Sequence, residues 1–190
     1  MQYVDRTYWV MFVGLIIFAI ISLFSASSTL AFQDSDSIFG PILSQICFIA
    51  LGVGLAFVVQ FIPSKIIQMT GYVGLALSFV LLLLTFTELG VEINGSKRWL
   101  TIFGITFQPS ELAKLTLIIV VSDLLSKIKN DEDERKYFGI SIGITIVICG
   151  IILIGNLSTA VVLGGIVILL AFLARVKFKY WGSLLGAAMV

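Results

Sequence analysis

The chain has no histidine and only two cysteines, Cys47 and Cys149. Without histidine it lacks the side chain that titrates nearest neutrality and the commonest metal ligand. A zinc centre is therefore not expected. Both cysteines sit in apolar runs and read as small buried hydrophobes, not as a disulfide. Charge is also scarce: Asp, Glu, Lys and Arg make up 12% of the 190 residues. A soluble domain carries about 25%, so a water-soluble globule of this length would lack the polar side chains to cover itself. No polar tract is long enough for a disordered chain. Twelve basic residues nearly cancel eleven acidic ones, so the net charge of +1 is uninformative, and no nucleic-acid partner is expected.

What the chain has instead is long apolar runs. Hydrophobic residues make up 59% of it and the mean hydropathy is +1.12. This composition predicts an integral membrane protein, all-α and polytopic, with 1–190 forming a single membrane domain and no separate soluble domain. A crossing helix needs about 20 apolar residues. The first run is Trp9 to Leu30. It competes with a signal peptide cleaved near Ser25-Ala26-Ser27, but its length and the spans that follow favour a retained helix. The second run is Ile42 to Ile62, ended by Pro63, and the third is Tyr72 to Phe86. The fourth, Leu112 to Leu125, carries Lys114 and Asp123 within it and starts behind Pro109-Ser110.

Between Tyr137 and Ala174 lie 38 residues without a charge. One helix of that length would extend about 57 Å, nearly twice the apolar core of a bilayer. Gly155-Asn156 marks a turn near the middle, so two spans are expected. Tyr180-Trp181 and Gly182 to Val190 read as the start of a seventh. With the N-terminus cytoplasmic, nine basic residues fall inside: Arg6, Lys65, Lys127, Lys129, Arg135, Lys136, Arg175, Lys177 and Lys179. Only Lys97 and Arg98 fall outside, and Lys114 lies within a span. The bias fixes the expected topology as six complete spans from a cytoplasmic N-terminus.

Two loops read as solvated surface: Ala31 to Gly40 with Asp34 and Asp36, and the run Asp131-Glu132-Asp133-Glu134 among its basic neighbours. The external segment from Glu88 to Gln108 carries more. Asn94-Gly95 is a tight-turn dipeptide, and Lys97-Arg98-Trp99 follows it. These two cations sit on the side the charge bias disfavours. Arg98 offers a planar fork suited to phosphate, and Trp99 suits headgroup depth; an interfacial anchor for the helix end is the alternative. Gln108-Pro109-Ser110-Glu111-Leu112-Ala113-Lys114 comes next. Pro109 suits the first helical position and Glu111 the third, where a carboxylate favours the positive helix end. Lys114 opposes that dipole and needs an anion. Glu111, three residues back, can supply one, and a lipid phosphate another. Structural ion pair and functional site both remain open.

At these residues the sequence resembles the SEDS family, the polytopic peptidoglycan glycosyltransferases that include FtsW and RodA. The elements that carry the likeness are Asn94-Gly95-Ser96-Lys97-Arg98-Trp99 and Gln108-Pro109-Ser110-Glu111-Leu112-Ala113-Lys114. Leu23-Phe24-Ser25-Ala26-Ser27-Ser28 looks like the Ser-Ala-Ser of the division-type members. One element departs: where the family commonly has Gln-Pro-Asp-Leu-Gly-Thr-Ala, this chain has Ile154-Gly155-Asn156-Leu157-Ser158-Thr159-Ala160, without the aspartate.

The resemblance implies the N-terminal part of an approximately ten-span fold in the bacterial cytoplasmic membrane, at the division septum. It implies polymerisation of lipid II into glycan strands, with a class B penicillin-binding protein as transpeptidase partner in the division assembly. The catalytic aspartate is expected beyond Val190, leaving none in this chain. Lys97, Arg98, Glu111 and Lys114 become candidates for the lipid diphosphate. Asn94, Gly95, Trp99, Gln108, Pro109 and Ser110 become supporting residues, with Trp99 and the faces of spans two to four as candidates for the lipid cavity. A lipid II flippase and a non-catalytic division scaffold are the competing classes. No cofactor is read from the sequence, and a divalent cation is left open.

Overall fold

The computed structural model describes residues 6–31, 39–93, 96–102 and 105–180. Asp34, Asp36, Asn94, Gly95 and the expected start of a seventh span at 181–190 lie outside the described residues. The chain divides into two compact units, 1–62 and 63–190.

The first unit contains α1 (Arg6–Ala31) and α2 (Phe39–Val59), which pack on each other. Trp9 and Phe12, near the start of α1, share a small cavity with Ala56, Val59 and Gln60, near the end of α2. The two helices therefore run antiparallel.

The second unit contains α3 (Ser64–Leu84), a three-stranded sheet, α4 (Pro109–Ser126), α5 (Asp131–Gly155), α6 (Leu157–Leu173) and a short 3-10 turn at Phe178–Tyr180. The helix ends follow local chemistry. Pro63 stands at the N-cap of α3 and Pro109 opens α4, where a missing N–H costs nothing. Asn130 and Asn156 cap α5 and α6, their side-chain oxygens accepting from the N–H groups of Asp133 (2.8 Å) and Thr159 (3.0 Å). The turn expected at Gly155-Asn156 thus separates two helices. Among the described residues, α3 and α5 are each long and apolar enough to cross a membrane, by length and composition. Shorter apolar helices cover Trp9–Ser22, Ile46–Val59 and Leu157–Leu173.

The segment expected to be an external loop in an all-α fold is instead an antiparallel sheet, which corrects the all-α class to a helical fold with one β element. Its strands are β1 (Gly90–Ile93), β2 (Ser96–Ile102) and β3 (Ile105–Phe107), in that order. Val91, Ile93, Trp99, Thr101, Thr106 and Phe107 are strand formers, and pairing satisfies backbone groups that lipid would leave bare. Leu100, 2% exposed, is the buried plug of the sheet.

Helix α4 is central and packs against α3, α5, α6 and β2. Ala113, Leu117, Val120 and Val121 are fully buried, at spacings that place them on one face. The core continues through Ile148 and Ile152 of α5 and Leu163 and Val167 of α6. Small residues bring α3 close to α4. A Cβ at Gly71 would lie 2.5 Å from a methyl of Ile119, and one at Gly74 would lie 2.6 Å from the methyl of Thr116. Ser78, on the same face, brings its hydroxyl to 3.5 Å from that of Thr116. Such close approach is how helices associate where lipid removes the hydrophobic drive.

The ends of α4 and α5 near residues 123–136 carry ionic contacts. Asp123 is buried; it accepts from Tyr72 at 2.7 Å and pairs with Lys127 at 2.6 Å. The hydrogen bond to Asp123 holds the Lys127 ammonium above the usual lysine range. The acidic run at the start of α5 is more than solvated surface. Glu134 is buried and accepts the backbone N–H of Lys177, while Asp131 pairs with Lys177 at 2.5 Å and Lys179 at 3.6 Å. All four acids also lie in the first turn of α5, where they favour the helix dipole.

Helix α6 ends in a Schellman arrangement. The N–H of Val176 reaches the carbonyl of Ala171 (3.2 Å) and that of Arg175 reaches Phe172 (3.0 Å). Arg175 consequently holds φ at 57°, the left-handed region that suits glycine. Arg175→Gly should therefore raise stability by about 1 kcal/mol. Thermal unfolding in detergent would show it as a higher Tm, and an unchanged or lower Tm would contradict the strain.

Candidate functional site

The site is built where β2 meets the starts of α4 and α6. Strand β1 pairs with β2 through Val91↔Trp99 and then Glu92↔Lys97, so the register slips by one. Arg98 is the residue left between these pairs. A bulge of this kind bends a strand and re-aims its side chain, and such bulges are common beside active sites. Nothing in the residues themselves signals it, since they could equally form a regular ladder.

Arg98 packs against the turn between α5 and α6. A Cβ at Gly155 would lie 3.7 Å from the Cβ of Arg98 and 3.8 Å from the carbonyl of Lys97. From the same strand, the Ser96 hydroxyl donates to the Gly155 carbonyl at 2.8 Å. Lys97, Arg98, Gln108, Ser110, Gly155 and Asn156 line a cavity of about 20 Å³, closed on its apolar side by Leu82, Ile151 and Ile152. That volume admits a single water. Ser110 is 5% exposed; its hydroxyl and the Nε–H of Arg98, both of residues that line this cavity, are buried and find no hydrogen-bond partner among the described residues, and the same holds for the indole N–H of Trp99, which is not in the lining. Unpaired buried donors are uncommon and mark a place where a polar partner fits.

Glu111 and Lys114 lie beside this cavity, not among its lining. Lys114 is one turn beyond Ser110 on the same face of α4, about 6 Å along the axis. Its ammonium is 2.8 Å from a carboxylate oxygen of Glu111, with side-chain exposures of 29% and 59%. The anion that Lys114 requires is thus supplied at least in part by its own helix. Gln108 is the N-cap of α4 but makes no side-chain cap bond. Asn156 stands where the resemblance leads one to expect an aspartate. It keeps the capping bond to Thr159 and brings no charge. Two helix N-termini, of α4 and α6, therefore meet at a cavity bearing Lys97 and Arg98, an arrangement that favours an anion.

A second crevice, about 530 Å³, lies between α3 and α5 among Tyr72, Leu75, Phe79, Ile144, Val147 and Ile148. Its lining is almost wholly apolar and offers no chemistry of its own. No group of His, Cys, Asp and Glu able to hold a metal is found among the described residues.

A family model described as a cell cycle protein and covering FtsW, RodA and SpoVE matches residues 5–190. The chain belongs to this family. It is 32% identical over 183 residues to a protein of Mesostigma viride named as the peptidoglycan glycosyltransferase FtsW, a match covering 96% of this chain and 43% of that one. A protein of the same name from Nitrosococcus halophilus is 35% identical over 164 residues, 82% of this chain and 41% of that one. The chain thus spans less than half the length of these family members. Among solved structures, a chain of a peptidoglycan synthase complex that coordinates polymerization and crosslinking aligns with a TM-score of 0.64 at 25% identity, covering 91% of this chain and 52% of that one. RodA of Thermus thermophilus, as a variant, shares the fold with a TM-score of 0.65 at 24% identity, over 90% of this chain and 56% of that one.

Proposed function

We propose that this chain is the N-terminal part of a membrane-embedded glycosyltransferase that polymerises lipid II into peptidoglycan strands during division. The observation that carries the reading is Arg98: in a chain of this family, an arginine at a strand bulge lines a cavity beside the starts of α4 and α6, with its Nε–H unpaired. A departing lipid diphosphate needs such donors, because charge develops on it as the glycosidic bond breaks. Arg98 and Lys97 contact the diphosphate, Lys114 adds a cation, and Glu111 orients Lys114. Trp99, Gln108, Pro109 and Ser110, with Asn94 and Gly95, support them. Removal of the acceptor's hydroxyl proton is assigned to no residue of this chain.

The six helices cross the bacterial cytoplasmic membrane from a cytoplasmic N-terminus, with the hairpin outside and the protein at the septum. Similarity to a chain of a complex that couples polymerization to crosslinking supports a transpeptidase of the class B penicillin-binding type as partner. Cysteine labelling checks the topology. A Glu132→Cys variant should react only from the cytoplasmic face and Thr106→Cys only from outside; labelling of either from the other face would reverse the orientation.

The activity is tested with the full-length protein and its transpeptidase in liposomes, given lipid II on the outer side. Glycan chains are expected. Transfer of lipid II across the bilayer without polymer would replace the polymerase by a transporter. Neither outcome, with division still rescued in cells, would leave a scaffold.

A further inference from the structure

We infer that Ser96 is a positioning residue for Arg98, acting through the turn between α5 and α6; this rests on the diphosphate role proposed for Arg98. The last carbonyls of a helix have no partner within it. At the end of α5, the carbonyl of Ile152 is taken by the N–H of Asn156 at 2.8 Å, and that of Gly155 by the Ser96 hydroxyl at 2.8 Å. The second bond spans 59 positions of sequence and joins β2 to the turn two residues from the bulge.

The bond fixes β2 against a helix end just where bulging frees Arg98 from the regular ladder. Gly155 has no side chain, and the Cβ of Arg98 packs over it, so the turn that Ser96 ties to β2 is also the surface on which Arg98 rests. Without the hydroxyl, Arg98 is held less firmly where the diphosphate charge develops. The loss then falls on the transition state, where diphosphate charge is greatest, more than on lipid II binding.

The test uses full-length protein with its transpeptidase and measures initial lipid II consumption across lipid II concentrations. Ser96→Ala should lower kcat by about fivefold to tenfold, one neutral hydrogen bond's worth. KM should change less than twofold and the Tm little. Ser96→Thr, which restores a hydroxyl and suits a strand, should recover the rate. On an Arg98→Ala background, Ser96→Ala should cause no further loss. If Arg98→Ala lowers the rate but Ser96→Ala does not, or its loss persists undiminished on that background, or Ser96→Thr fails to rescue, the positioning role is overturned and the diphosphate reading stands. If Arg98→Ala itself leaves polymerisation intact, the diphosphate reading falls and the role of Ser96 with it.

Discussion

Full-length protein carrying Lys114→Met together with Glu111→Leu is expected to insert and fold normally, yet to polymerise lipid II at least about a hundredfold more slowly, about 2.7 kcal/mol of transition-state stabilisation. The two side chains form an ion pair at 2.8 Å near the start of α4. Removing both leaves no unpaired charge, and apolar replacements of similar size are often neutral for stability. A role in holding the fold therefore predicts no loss of activity. A role in substrate binding predicts a large one, because Lys114 stands against the helix dipole and its charge is only partly matched by an exposed glutamate. Lys114→Met alone is a poor test, since it strands Glu111 under either role. The measurement pairs Tm in detergent with the rate of glycan synthesis. Normal stability with near-normal activity would reduce Lys114 to a structural residue and leave the phosphate contact to Arg98.

Replacing Gly71 and Gly74 by leucine should abolish stable folding. Each new side chain would meet Ile119 or Thr116 from its first carbon onward. Overpacking of a filled interface costs about 1–3 kcal/mol per site, and both sites lie on the same contact between α3 and α4. The hydroxyl pairing of Ser78 with Thr116 would be lost when the helices part. Size-exclusion profiles and Tm of the purified full-length variant should report aggregation or strong destabilisation. Gly143→Leu provides the comparison, since a Cβ at Gly143 on α5 meets nothing within 4 Å. Equal stability of all three proteins would show that α3 and α4 do not rely on close approach.

The parts of this fold that sequence reading recovered are those decided by near neighbours. Pro63, Pro109 and Gly155-Asn156 mark helix boundaries because the reasons are local: a missing N–H, a turn, a cap. Glu111 meets Lys114 because three residues along a helix is one turn. The parts it missed depend on residues far apart. Nothing near Ser96 announces that its hydroxyl meets a carbonyl 59 positions later. The acidic run at 131–134 reads as solvated because Lys177 and Lys179, which pair with Asp131, are over forty residues away. The bulge at Arg98 is decided by how β1 and β2 align, which no single strand encodes. The strand content of 90–107 was legible in its Val, Ile, Trp and Thr residues, but the surrounding apolar runs drew it into an all-α reading.

Helices α3, α5 and α6 carry Val73, Leu77, Ile146, Val161 and Leu169, all exposed on the chain itself. In a bilayer these groups meet acyl chains or other membrane-buried helices, not water, whether the helices are together or apart. Water is therefore not released when the helices assemble, and the heat-capacity change that bends the stability curve of a soluble domain has little source here. Cooling weakens burial from water, so it should leave this bundle nearly untouched, and its resistance to separation should vary little between cold and warm membranes.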